Sequence, residues 1–143
     1  MTTLLLPTST LFALASRGLA EARGTSEVGQ RYALAHLAAL RVAAAVLACR
    51  ARPLTAPVRR AGPTSAWVLL RAVAPELGEW ADFFAAGARK RAAAEAGRPG
   101  AVTPREADDL LRDAERFLAV AEETVGPDGN QLALPRARLL ASG

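Results

Sequence analysis

The chain has 143 residues with 17 Arg, one Lys, 34 Ala and no Ile, and it carries a net charge of +4 at neutral pH. Such a length suits one domain with a real core, and an Ala-rich, β-branch-poor composition favours helix over strand. One Cys rules out an internal disulfide, and one Cys with one His cannot assemble a Cys/His zinc set, so no metal or cofactor is expected and a cytoplasmic setting fits.

Residues 1–8 read as a disordered N-terminus. Leu4 to Ala15 faintly imitates a secretory signal, but no basic residue precedes it and Pro7 interrupts it, so none is expected. Ser9 as N-cap predicts a first helix from about Thr10 to Arg23, with Leu11, Leu14/Ala15, Leu19 and Ala22 on one face. Gly18 inside it suits a close approach by a neighbouring helix. After Gly24-Thr25-Ser26, with Ser26 as a start signal, a long second helix runs from about Glu27 to Arg50. It is apolar nearly all round, with Arg41 as its one charge between His36 and Arg50, so it reads as the central helix of a bundle.

Three prolines and a glycine between Arg52 and Pro63 predict an exposed connection, and Arg50, Arg52, Arg59 and Arg60 make it basic. Ser65 caps a short helix, Ala66 to Val73. Pro75 opens a third long helix, to about Ala96, with Trp80, Phe83, Phe84, Gly87 and Ala88 facing inward and Arg89-Lys90-Arg91 toward its negative end. Thr103-Pro104-Arg105-Glu106 combines an N-cap, Pro at the first helical position and Glu three after the cap. The helix it starts carries an apolar stripe from Ala107 to Val125 and ends at Gly126-Pro127. The expected fold is therefore all-α: an antiparallel bundle of four long helices over residues 9–126, plus a short helix between the second and third. Residues 127–143 read as a flexible C-terminal tail.

Charge is uneven. Residues 1–100 hold 13 Arg and Lys against 6 Asp and Glu, whereas residues 101–143 hold 5 against 8. A basic body is compatible with a polyanion, although an acidic helix facing basic neighbours explains the same pattern. Arg52, Arg59, Arg60, Arg89, Lys90 and Arg91 are the candidates for contact with a nucleic-acid backbone. Phosphate contacts need only accessible positive charge, and no aromatic lies among them to stack bases, so solvated faces are the competing account. Asp109 and Asp113, at i and i+4, make a carboxylate-rich metal site conceivable, and surface charge solvating an amphipathic helix is the favoured account.

No phosphate-cradling glycine loop is present. Cys49 and His36 lie roughly 20 Å apart along one helix, which excludes a nucleophile–base pair within the chain. Arg31 and His36 remain. Five positions set them about 140° apart around a helix, so they do not share a face. Across a dimer axis two copies could still supply an Arg for phosphate and a His as acid or base to one groove. The alternative is a His that caps the core and a solvated Arg.

Three blocks carry a resemblance: Tyr32 to Arg41, Ser65 to Trp80, and Phe83 to Arg91. With Arg105 to Leu111 they look like an actinobacterial branch of the HEPN proteins (the "higher eukaryotes and prokaryotes nucleotide-binding" domain), over about Leu11 to Val125. The resemblance implies a bundle of four or five helices, commonly dimeric. Many relatives are RNases with an Arg-x4–6-His motif, a spacing that Arg31 and His36 satisfy, and others are inactive partners of nucleotidyltransferases. Three functions are therefore expected in competition: a homodimeric nucleic-acid-associated or regulatory binding module; a metal-independent RNase using Arg31 and His36; and a scaffold that binds another protein through the tail or the Trp67/Trp80 region.

Overall fold

The computed structural model describes residues 6–50 and 63–130. Six α-helical segments follow in order: α1 (Thr8–Arg23), α2 (Val28–Arg50), α3 (Pro63–Val73), α4 (Gly78–Ala86), α5 (Ala88–Glu95) and α6 (Pro104–Asn130), with a 3₁₀ turn at Pro75–Leu77. No strand occurs among the described residues, and the all-α bundle is as expected. The basic connection, with Arg52, Arg59 and Arg60, lies outside them.

The helix ends follow from local chemistry. Helix α1 starts at Thr8, two residues before the expected position. Pro7 is its N-cap and makes no side-chain cap. Thr8 is instead buried, its Oγ1 donating to the Ala45 carbonyl at 3.0 Å, which ties the start of α1 to the far end of α2. Glu27, rather than Ser26, caps α2: its carboxylate accepts from the amides of Gly29 (3.3 Å) and Gln30 (2.6 Å). The capping box that opens α6 forms in full. Thr103 N donates to Glu106 Oε1 at 2.9 Å, and Glu106 N donates to Thr103 Oγ1 at 3.1 Å. Helix α6 breaks at Gly126, whose φ of 79° is left-handed and suits only glycine well.

Helix α2 is the hub, packing against α1, α3, α5 and α6. It buries Tyr32, Ala35, His36, Ala38, Ala39, Val42, Ala43, Ala45, Val46 and Leu47. Length and composition would let α2 cross a membrane, but here over half of its apolar window is buried inside the bundle. Gly18 of α1 is buried against α2, where a Cβ would sit 3.6 Å from that of Ala38. From the other side α6 contributes the stripe Ala107, Leu110, Leu111, Ala114, Phe117 and Ala121, all buried. An aromatic knot fills one end of the core. Trp67 stacks on Phe84 with centroids 5.3 Å apart, and Phe117 lies 5.1 Å from Phe84 and 5.5 Å from Trp80. Trp67, Phe84 and Phe117 are fully buried, and each contributes about 1.5–3 kcal/mol by that burial.

The third long helix is one rod in sequence but two in space. It divides at Gly87 into α4 and α5, because Phe84's carbonyl accepts from Gly87 N at 3.1 Å and from a side chain of α2. A side chain that enters the helical hydrogen-bond ladder is a known cause of a break. There is also no room for a larger residue: a Cβ on Gly87 would lie 2.9 Å from the Tyr32 hydroxyl.

Candidate functional site

The side chain that reaches Phe84 is His36. It projects from α2 toward α3, α4 and α5, and is only 1% exposed. Its Nε2–H donates to the Phe84 carbonyl at 2.8 Å, and the rings of Trp67 and Phe84 each meet it edge-on at 6.1 Å. Because that nitrogen donates, the neutral ring carries its lone pair on Nδ1, which finds no partner among the described residues. Burial pushes the His36 pKa below its ordinary value. The Phe84 bond opposes this, Arg91 adds to it and Glu95 opposes it more weakly. A second proton would place an unpartnered charge in an aromatic cage.

Arg31 turns elsewhere. Its Nε donates to the Thr25 carbonyl at 3.0 Å and its NH1 pairs with Asp108 near the start of α6. The side chain is 19% exposed and braces the α1–α2 turn against α6. Within one chain, Arg31 and His36 are thus on different sides of α2 and each has partners of its own. Tyr32, between them, is buried, and its hydroxyl pKa is raised by burial and then by Glu106.

The consecutive basic residues of α5 also diverge. Lys90 Nζ donates to Glu106 Oε2 at 3.0 Å, which joins α5 to the capping box of α6. Arg91 pairs with Glu95 at 2.8 Å along its own helix. Arg17, Arg89 and Arg98 are exposed and Arg41 is half-buried, and none of the four meets a carboxylate among the described residues. Arg41 reaches from α2 to α1, where its NH1 would lie 4.0 Å from a Cβ on Gly18. Asp109 and Asp113 point to arginines, Asp109 to Arg112 and Arg105, Asp113 to Arg116, as a solvated helix face does. Cys49 is half-buried.

One concavity went unread in the sequence. An open groove of about 470 Å³ is lined by Pro75, Glu76, Glu79, Trp80 and Phe83 with Asp113 of α6. Trp80 and Phe83 fit an inward helical face by spacing, yet Trp80 is only half-buried and Phe83 is 47% exposed. The buried residues of this stretch are Leu77, Gly78, Ala81 and Phe84, and Trp80 and Phe83 lie on the flank of that face, about 100° round from Ala81 and Phe84. Arg50 hydrogen-bonds Glu76 at 2.7 Å and holds that carboxyl below the usual range.

The bundle around α2, with its caged histidine and its braced arginine, defines a small all-α domain with no deep enclosed site among the described residues. The chain belongs to the HEPN proteins: the family model described as SAV_6107-like HEPN matches residues 22–122. No curated protein and no solved structure matches it.

Proposed function

We propose that this chain is a HEPN-like module that acts by binding, as a cytoplasmic homodimer associated with nucleic acid, and not by catalysis. The observation that carries the non-catalytic part is His36, 1% exposed with its donor nitrogen spent on Phe84. A general acid or base must reach its substrate proton within hydrogen-bond distance, directly or through one water. Arg31, committed to Thr25, Ser26 and Asp108, is likewise withdrawn from a phosphate. The direct test is RNA incubated in EDTA with wild-type protein, Arg31→Ala and His36→Gln. No cleavage above the blank is expected from any of them. Cleavage by wild type that either folded variant abolishes would restore the metal-independent RNase.

Nucleic-acid association rests on the family and on Arg17, Arg89 and Arg98, exposed cations without carboxylate partners among the described residues. Retention of single-stranded RNA at low ionic strength is expected, with affinity falling as salt rises. Replacing Arg89 by Glu should weaken it uniformly across sequences. No retention at low salt would remove this part of the reading. Dimerisation is supported by the outward face of α2, where Ala33, Leu37, Ala44 and Ala48 are half-buried and Arg41 is the one charge. Sedimentation is expected to give a dimer that Leu37→Glu dissociates. Residues 9–126 are the unit proposed to fold, with 127–143 as an appended tail.

A further inference from the structure

The groove of Trp80 and Phe83 has the wrong sign for nucleic acid. Glu76, Glu79 and Asp113 stand around it, and a phosphate backbone would be repelled there. Two of these carboxylates have a cation at hand, Arg50 at 2.7 Å from Glu76 and Arg116 at 3.9 Å from Asp113. Glu79 has none among the described residues. Asp82, next to Phe83, is held by Arg71 of α3. The floor is aromatic and continuous with the core, since Trp80 stacks on Phe117 at 5.5 Å while Phe83 meets Phe84 edge-on at 5.0 Å.

From this we infer that the groove is a docking surface for an arginine-bearing, otherwise apolar peptide segment of a partner protein. A guanidinium suits it on two counts. Its planar face stacks on an indole or phenyl ring, and its edge donates to a carboxylate, so one side chain would use Trp80 and Glu79 together. An apolar neighbour in the same segment would cover the part of Phe83 that faces water. The groove is shallow and open, which suits a chain laid along α4 and not a small molecule enclosed on all sides. Ring anchors that are already packed into a core are pre-organised, a feature of residues that dominate binding.

The probe is a blocked synthetic peptide of alternating Arg and Leu, titrated into the full chain while Trp fluorescence is followed. Trp67 is buried and Trp80 half-exposed, so a binding signal reports Trp80. Saturable binding that weakens with salt is expected. It should weaken about tenfold in both Glu79→Arg and Phe83→Ala. Both substitutions lie at exposed positions, and unchanged thermal melting would show that the fold is intact. An Arg-to-Glu version of the peptide should not bind. Three results would overturn the inference: no binding at low salt; equal affinity in the folded variants; or arginine amide alone binding as tightly as the peptide. RNA retention by the same variants is expected to be unimpaired, so this test and that of the nucleic-acid reading fail separately.

Discussion

His36 caps a carbonyl at the end of a helix, and the consequences of changing it can be worked out from its surroundings. His36→Ala removes a buried ring and one of the two hydrogen bonds to the Phe84 carbonyl, which should cost about 2–4 kcal/mol in denaturant unfolding. His36→Gln can keep a donor and should lose less. The pH dependence has a definite sign. The folded-state pKa is depressed, first by burial, so the unfolded chain binds the proton more readily. Stability is therefore full above the ordinary histidine value of about 6.5 and declines as pH falls below it toward the folded pKa. Melting temperature measured from pH 7.5 down to 5 should drop in wild type and drop less in His36→Gln. Gly87 supplies a second case. Ala in place of Gly usually favours a helix by about 1 kcal/mol, but here the added methyl would meet the Tyr32 hydroxyl at 2.9 Å. Gly87→Ala is expected to destabilise by about 1–3 kcal/mol, and Tyr32→Phe in the same chain should restore part of that loss in a double-mutant cycle.

Helix α6 shows how far an element can be specified locally. Thr103, Pro104 and Glu106 fix its start, and both reciprocal hydrogen bonds of the box are made. Thr103→Ala should cost about 1 kcal/mol by thermal or urea unfolding. The Thr103 amide and then Lys90 hold the Glu106 carboxyl below its usual range, so the box stays ionised at neutral pH. Helices α4 and α5 are the opposite case. Their shared apolar spacing reads as one continuous rod, and nothing within that segment reveals that a histidine 48 residues earlier will take the Phe84 carbonyl. Locally, Gly87 alone hints at the break.

For the molecule as a whole, the charge pattern is more internal than it looks. Lys90 with Glu106, Arg23 with Glu115 and Arg31 with Asp108 tie the basic body to the acidic last helix. Each exposed pair contributes little to stability, about 0–1 kcal/mol, but each removes a cation from the surface offered to a polyanion. Among the described residues, what is left is a thin scatter of arginines and an acidic, aromatic groove. Binding to RNA is accordingly expected to be weak and strongly salt-dependent.

The sequence alone determined what depends on neighbours in the chain. Composition favoured helix over strand and ruled out an internal disulfide, periodicity marked α2 as the core helix, and capping residues set the start of α6. The tertiary structure decided everything that depends on which helix meets which. It sent His36 into an aromatic cage and Arg31 to Asp108, divided the third helix at Gly87, and left Phe83 facing solvent. A side chain's spacing tells which face of its own helix it occupies. Whether that face meets a neighbour, a carbonyl or water is set by packing between segments far apart in the chain.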